Sequence, residues 1–341
     1  MGGSRYIAAA LLMLASCTAV QAQSLISRAI FADGKLWLLE HDKLSTLVKD
    51  YPRRTVPLDQ PALDLIRDHG NPVIVSCDTK NCENWVVKRW INGGWSVEAK
   101  APVSNESLLA LAGGTRIALI TNHRVITFLN GAGRTTRYKP AGYYEPAGWI
   151  TSTLATPSYI WIGRDAGEWG GSLERIDIAT GQSTDVQGYI PTGPPDPNSA
   201  VNHGPIITNV NALLTHPWNS HCILVAQGLI HLGMASGEIV QVCDGKVLPF
   251  YQADLGNRWS VPFYGLAKGR DGIVWAAGID GLYRITAKGR ARRMPMPRFS
   301  TTGGAAVSFM TSDLALVLTE THRRASVSGS APMLVPLDDP K

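Results

Sequence analysis

Two similar stretches, DGKLWLLEHDKLSTLVKD (Asp33–Asp50) and DGIVWAAGIDGLYRITAKG (Asp271–Gly289), decide the fold that the sequence predicts. Each has a glycine turn, an apolar run with a tryptophan in it, a polar turn and a second apolar run. Short apolar runs between Asp-Gly turns are typical of β-hairpins. One hairpin that recurs near both ends of a chain indicates an internal repeat.

Five more stretches follow the same pattern, and they are Pro72–Gly94, Gly114–Arg134, Ser158–Gln182, His221–Lys246 and Asp313–Ser330. Further apolar runs before and after several of them give four strands per unit, with a period of about 45 residues that is typical of β-propeller blades. A single blade leaves its faces exposed, so blades stack side by side in a ring. The sequence predicts an all-β protein with one propeller domain over residues 23–341. Seven four-stranded blades are expected, with six or eight left open, and ring closure is expected to pair residues 24–32 with residues 332–338.

The amino terminus predicts export. Arg5 precedes an apolar run, residues 7–15, that is too short to span a bilayer and is typical of a secretory signal. Residues 1–22 are therefore expected to be a signal peptide, cleaved after Ala22. Residues 14–17, LASC, also match the bacterial lipobox, in which Cys17 would be lipidated. Both alternatives place the protein outside the cytoplasm, either free in the periplasm or anchored to the outer membrane as a lipoprotein.

The other four cysteines agree with an oxidising compartment. Cys77 and Cys82 flank a short polar loop between two strand-like runs, and Cys222 and Cys243 would face each other if the chain folds back between them. We therefore predict two disulfides, although a Cys/His metal site near Cys222 is a rival interpretation. The formal net charge of +5 is too small to indicate nucleic-acid binding.

The stretches GIVWAAGIDGLYRI (272–285) and YIWIGRDAGEWGGSLERIDIATG (159–181) resemble blades of a group of bacterial propellers. That group includes the periplasmic sensors of two-component regulators, virginiamycin B lyase and gluconolactonase-like proteins. The resemblance covers blade motifs over most of the mature chain and implies architecture rather than chemistry. The gluconolactonase-like members would further imply one divalent cation in the central channel, held by Glu, Asn and Asp side chains from separate blades.

One insert is larger than a hairpin needs. RDAGEWGG, residues 164–171, carries Arg164, Asp165, Glu168 and Trp169 among three glycines. Glycines permit a tight frame, tryptophan offers a stacking plane, and carboxylates can accept hydrogen bonds or act as a base. We predict that these four side chains contribute to a ligand-binding site.

Other polar residues are expected on the same face of the propeller. Tyr144 and Glu145 lie in the connection before the insert, and Asn202 and His203 lie in an unusually long, proline-rich connection after it. His123 and His231 lie in the corresponding turns of other units, although any solvated turn is polar and this competing interpretation stays open.

The leading interpretation is a non-catalytic module of the cell envelope, a binding scaffold or sensor for an envelope protein, a glycan or a small ligand, with no cofactor and no membrane contact beyond a lipid anchor. The sequence contains no nucleophile elbow, phosphate-binding loop, zinc-protease motif or EF-hand loop. The alternative is a metal-assisted lyase or hydrolase of a small exported substrate, with a divalent cation in the channel and Glu168 as ligand or base.

Overall fold

A computed structural model describes residues 26–40, 43–48, 51–129, 132–139, 149–186, 207–256, 258–269, 272–296, 305–309, 314–319 and 333–336. The described residues form antiparallel sheets in which strands follow one another in chain order. Blade 1 comprises β1 (Ile26–Ala32), β2 (Lys35–Glu40), β3 (Lys43–Leu47) and β4 (Arg54–Thr55). Blade 2 comprises β5 (Ala62–Asp68), β6 (Asn71–Cys77), β7 (Asn84–Ile91) and β8 (Gly94–Pro102). Blade 3 comprises β9 (Leu108–Ala112), β10 (Ile117–Thr121), β11 (Arg124–Leu129) and β12 (Ala132–Arg137).

Three further four-stranded blades continue the ring. Blade 4 comprises β13 (Trp149–Ala155), β14 (Tyr159–Asp165), β15 (Gly171–Asp177) and β16 (Ser183–Asp185), with a 3₁₀ turn at Gly167–Trp169. Blade 5 comprises β17 (Val210–Thr215), β18 (Cys222–His231), β19 (Met234–Cys243) and β20 (Lys246–Tyr251). A small hairpin, β21 (Asp254–Gly256) and β22 (Trp259–Ser260), leads to blade 6, which comprises β23 (Phe263–Lys268), β24 (Val274–Gly278), β25 (Gly281–Ile285) and β26 (Ala291–Pro295).

A three-stranded sheet completes the ring. It comprises β27 (Ala305–Phe309), β28 (Leu314–Thr319) and β29 (Met333–Pro336). The innermost strand of each sheet contacts those of its two neighbours, and β27 contacts both β23 and β1. The predicted all-β propeller is therefore confirmed, with six four-stranded blades and a last sheet of three described strands. No described helix is long or apolar enough to cross a membrane.

Ring closure differs from the prediction. We expected the amino-terminal strand to pair with the last apolar run, but β1 pairs with β2 and β29 pairs with β28. The ring closes instead by contact between β1 and β27, so each end of the chain stays within its own sheet. That prediction was wrong because neighbouring blades here meet by side-chain packing and side-chain hydrogen bonds, and neither requires one sheet to take a strand from both ends of the chain.

The strands are short apolar runs because each blade is covered on both faces. All five residues of β10 are buried, as are the four central residues of β2. Such strands lose the alternation of apolar and polar residues that marks a half-exposed strand. Many hairpins turn through two residues with positive φ, a geometry that matches the twist of the flanking strands. The turn residues are Asp33-Gly34, His69-Gly70, Asn92-Gly93, Leu232-Gly233 and Asp244-Gly245.

The hydrophobic core is divided into layers between blades. Val75 and Trp85 of blade 2 pack with Leu119 and Phe128 of blade 3, and similar clusters lie between the following pairs. Each layer removes from water the sheet faces that a single blade would expose. The stability of a blade therefore depends on its neighbours.

Polar side chains on the innermost strands join the blades to one another. The Oδ2 atom of Asp64 on β5 accepts a hydrogen bond from the backbone N–H of Leu111 on β9, at 2.9 Å. Ser152 Oγ on β13 accepts a hydrogen bond from Leu213 N on β17, also at 2.9 Å. Ser152 and Asp64 occupy the same position in their strands, directly after a β-bulge. Asp64 Oδ1 also accepts a hydrogen bond from Arg28 Nε of blade 1, at 3.0 Å. One carboxylate therefore connects three blades.

Both predicted disulfides are present. Cys77 is bonded to Cys82, and Cys222 at the start of β18 is bonded to Cys243 directly opposite it at the end of β19. The metal interpretation of Cys222 is therefore wrong. Stable disulfides belong to oxidising compartments, which agrees with an exported protein.

We predict that Asp64→Ala lowers the free energy of unfolding by about 3 kcal/mol, because Arg28 Nε and the Leu111 N–H both lose the carboxylate that accepts their hydrogen bonds. Asp64→Asn keeps an acceptor oxygen and should lose less. Urea unfolding followed by circular dichroism measures both. Asp59→Ala removes a carboxylate that is 95% exposed and serves as the matched control. An Asp64→Ala protein as stable as the control would contradict the role of Asp64.

We also predict that the two disulfides contribute unequally to stability. By loop-closure entropy, removal of the bond across 21 residues should cost about 3 kcal/mol and removal of the bond across five residues about 2 kcal/mol. The double variants Cys222→Ala/Cys243→Ala and Cys77→Ala/Cys82→Ala are compared in the same urea titration. The reverse order of stability would show that loop closure is not the main contribution.

Candidate functional site

The turns between second and third strands lie on the same face as the connections that enter each blade. In blade 2, Val103 N in the following connection donates to Glu83 O in the turn at 3.0 Å. In blade 6, Ile279 N in the turn donates to Pro262 O in the preceding connection at 3.2 Å. We call this side of the ring the loop face. The predicted site residues that the structure describes lie on this face, either in these turns or at the strand ends beside them.

The insert of blade 4 forms a compact 3₁₀ turn. Ala166 N donates to Gly170 O at 2.7 Å, and Gly170 N donates to Gly167 O at 3.1 Å. Gly167 and Gly170 both have positive φ, which explains why the turn requires glycine at these positions. Glu168 lies half-exposed on the turn, and Trp169 is 84% exposed. The turn therefore presents these two side chains from an ordered frame.

Arg164 and Asp165 are buried beneath the turn. Arg164 Nη2 contacts Glu174 Oε2 at 3.3 Å on the adjacent strand β15. Asp165 Oδ1 accepts hydrogen bonds from Gly167 N at 2.7 Å and from the side chain of Asn209. Burial raises the pKa of Asp165 above its ordinary value, and the two hydrogen bonds partly oppose this shift. These contacts support the turn from within, and the structure gives neither side chain a surface for a ligand to contact.

Glu168 and His231 are brought together across a blade boundary. Glu168 Oε2 lies 3.2 Å from Nδ1 of His231, which is the last residue of β18 in blade 5. An exposed pair of this kind contributes little to stability. Its consequence is positional, because it places the blade 4 turn against the tip of the blade 5 hairpin.

The hairpin of blade 5 is longer than its counterparts. Strands β18 and β19 have ten residues each, whereas the second strands of the other four-stranded blades have five to seven. The extra length exposes three apolar side chains at the tip, Ile230, Leu232 and Met234. Leu232 is 85% exposed and has positive φ in the turn. We call these three residues and Trp169 the tip patch.

The sequence interpretation missed the tip patch. The signal was present as the apolar run LIHLGM around a Leu-Gly turn. A two-residue turn normally carries Asn or Asp before its glycine, so leucine at this position is unusual.

The base of the long hairpin is held tightly. Gly228 and Gly237 oppose each other across β18 and β19, and an added Cβ on either would lie within 3 Å of Pro262 in the connection into blade 6. On the other side, the side chain of Gln227 accepts from Thr208 N at 2.9 Å, and Gly228 N donates to Asn209 O at 3.1 Å. The tip patch therefore stands on a base that is fixed between two connections.

The remaining predicted site residues do not join this group. His123 is exposed on blade 3, and Glu106 beside it pairs with Arg124 at 2.9 Å. His123 makes no described contact with Glu168 or His231. Tyr144, Glu145, Asn202, His203 and the lipidation candidate Cys17 lie outside the described residues. Within the part of the chain that the structure describes, no three His, Cys, Asp or Glu side chains form a group that could hold a metal ion. The channel cation and the involvement of these residues in a site stay predictions.

A concave feature lies away from the tip patch, at the rim of blade 1. A cavity of about 470 Å³ opens where the outer strand β4 has only two residues, and Trp37, Trp90 and Tyr51 contribute to its walls. Trp37 and Trp90 meet edge to face, with ring centroids 5.2 Å apart. Lys35 at this cavity is already paired with Asp33 at 3.1 Å.

No protein-family model and no curated protein matches this chain. Solved structures do match it. The extracellular domain of BT4673 from B. thetaiotaomicron, described as a one-component system, aligns with a TM-score of 0.51 and 13% identity. The alignment covers 92% of this chain and 38% of that one, so this chain spans less than half the length of that protein.

Two shorter proteins align over most of their own length. YCF48 from Cyanidioschyzon merolae matches with a TM-score of 0.48 and 13% identity, over 93% of this chain and 96% of that one. Regucalcin from Agrobacterium tumefaciens, a calcium-binding protein, matches with a TM-score of 0.40 and 12% identity, over 92% of this chain and 90% of that one. At 13% identity, the alignment with BT4673 shows a shared fold alone.

Burial of Asp165 predicts a pH-dependent stability. Because the pKa of Asp165 is raised in the folded state, the protonated carboxyl contributes to stability fully below the unfolded-state pKa of about 3.9. This contribution is lost as the pH rises through the folded-state pKa. We predict that Asp165→Asn gains stability relative to the native protein between pH 4 and pH 7, measured by urea unfolding at several pH values. Asp59→Asn, at an exposed carboxylate, should show no such trend. A difference between Asp165→Asn and the native protein that is constant with pH would contradict this assignment.

Proposed function

We propose that this protein is a non-catalytic binding module of the cell envelope, whose loop face holds a protein partner through the tip patch. The observation that carries the proposal is the exposure of Trp169 and Leu232, which are the two most exposed large apolar side chains of the described residues. They lie on either side of the Glu168–His231 contact. Large apolar side chains that are exposed on neighbouring turns are typical of interaction sites.

The shape of the patch favours a protein over a small ligand. Small-molecule sites are concave and enclose most of the ligand. The tip patch instead projects, because β18 and β19 extend beyond the length of other blade hairpins. Tryptophan and methionine are also enriched in protein interfaces. A groove or pocket on an envelope protein that receives Trp169 and Leu232 would bury both side chains.

The Glu168–His231 pair beside the tip patch would orient the partner at the interface. Glu168 and His231 are both partly exposed and lie at the junction of blades 4 and 5. Rim charges contribute to specificity and association rate more than to affinity. The apolar side chains would therefore supply most of the binding free energy, and the pair would restrict how the partner docks.

A sensing role is a specific form of this proposal. BT4673 carries a propeller as the extracellular domain of a one-component system, and we extend the idea of signal reception by a propeller outside the cell to this chain. Two disulfides support export. We propose that the mature protein is periplasmic, or anchored to the outer membrane if Cys17 is lipidated. Mass spectrometry of the mature amino terminus distinguishes the two forms.

We predict that Trp169→Ala/Leu232→Ser abolishes partner binding and changes the free energy of unfolding by less than about 0.5 kcal/mol, because both side chains are exposed. A photo-crosslinking amino acid at position 234 in native cells should yield one defined protein adduct, identified by mass spectrometry. The adduct should disappear in the double variant.

Leu129→Ser is the matched control, since Leu129 is an exposed leucine at the end of β11 in blade 3. It should leave the adduct intact. Failure to obtain a defined adduct, or an adduct that the double variant retains, would contradict a protein partner at the tip patch.

A further inference from the structure

The central channel contains a cavity at the side opposite the loop face. Its volume is about 290 Å³, and its lining comes from five innermost strands, β1, β5, β17, β23 and β27. Each innermost strand begins at the loop face and ends at the turn into the second strand. The charged lining residues lie at these far ends, since Arg67 is the penultimate residue of β5 and Lys268 is the last of β23. The cavity is therefore separate from the tip patch.

Two cations line this cavity without an anionic partner in the described part of the chain. Arg67 and Lys268 are both exposed, and neither forms a salt bridge with any described residue. The neighbouring Asp68 is already paired with Arg89 at 2.6 Å. Positive charges that share an opening with low-dielectric walls concentrate the local field and attract anions. The cavity therefore carries a net positive charge.

The remaining walls are apolar. Phe31, Leu214, Leu266 and Val307 come from four different strands, and each is only partly buried. Covering apolar side chains that are in contact with water by another apolar group lowers the free energy. The lining therefore combines a charged part and an apolar part at one opening.

We propose that this end of the channel binds a small amphipathic anion, with a carboxylate or sulfonate on Arg67 and Lys268 and an aliphatic or aromatic body against the apolar walls. Guanidinium and ammonium groups form charge-assisted hydrogen bonds with such head groups. The volume is at the lower end of the range for small-molecule sites, which limits the ligand to a short body. This site is independent of the protein partner proposed for the loop face.

Isothermal titration of the purified protein with sodium octanoate, below its micelle concentration, tests the proposal. We expect saturable binding of octanoate and at least about tenfold weaker binding to Arg67→Gln/Lys268→Gln, because the head group loses both cations. Arg67→Lys/Lys268→Arg keeps both charges and should restore most of the affinity. Octyltrimethylammonium, which has the same chain length and the opposite charge, should not bind.

Lys80→Gln/Lys100→Gln removes two exposed charges elsewhere and is the matched control, expected to bind octanoate as the native protein does. Trp169→Ala/Leu232→Ser should also leave binding unchanged, which separates this site from the tip patch. The proposal is overturned if octanoate does not bind, if the cationic probe binds equally well, or if the control loses as much affinity as Arg67→Gln/Lys268→Gln. If that double variant does not unfold cooperatively in urea, each single variant is titrated instead, and native affinity in both overturns the proposal.

Discussion

Contact between the innermost strands of neighbouring blades is the constraint on which the rest of this structure depends. Each of these strands has a hydrogen-bonded neighbour on one side only, so its other edge presents unpaired backbone groups towards the channel and the next blade. Asp64, Ser152 and Asn211 satisfy some of these groups from the adjacent blade, and Asn211 Nδ2 donates to Phe263 O of blade 6 at 2.9 Å. These bonds fix how neighbouring blades meet, and the layers of apolar side chains between the blades then pack around that geometry.

The same constraint explains how a long hairpin can project without losing order. The tip of the blade 5 hairpin has few neighbours, but its base is held by close contact of Gly237 with Pro262 and by hydrogen bonds from the connection into blade 5. A projecting hairpin with a fixed base loses little conformational entropy when a partner covers its tip. Exposed apolar side chains on such a base suit an interface better than the same side chains on a mobile loop would.

The two ends of the channel axis carry different chemistry. The loop face presents a convex apolar surface with a Glu168–His231 contact within it, whereas the opposite end presents a concave opening with Arg67 and Lys268. Because every blade contributes a turn to each face, a propeller can change one face without altering the other. A scaffold that holds a partner on one side and a small anion on the other would need no movement of the blades themselves.

Local sequence determined the hairpins, their turns and the disulfide pairs, because these depend on residues close together in the chain. It also identified Glu168 and Trp169 as exposed residues of an ordered turn. It did not reveal that Arg164 and Asp165 point inward, because a strand covered on both faces buries consecutive residues and alternation gives no signal there. Only the closed ring decided that β1 meets β27 without pairing to the last strand, and that Phe31 and Val307 line one cavity. These features depend on contacts between residues far apart in sequence, which exist only after every blade has packed against the next.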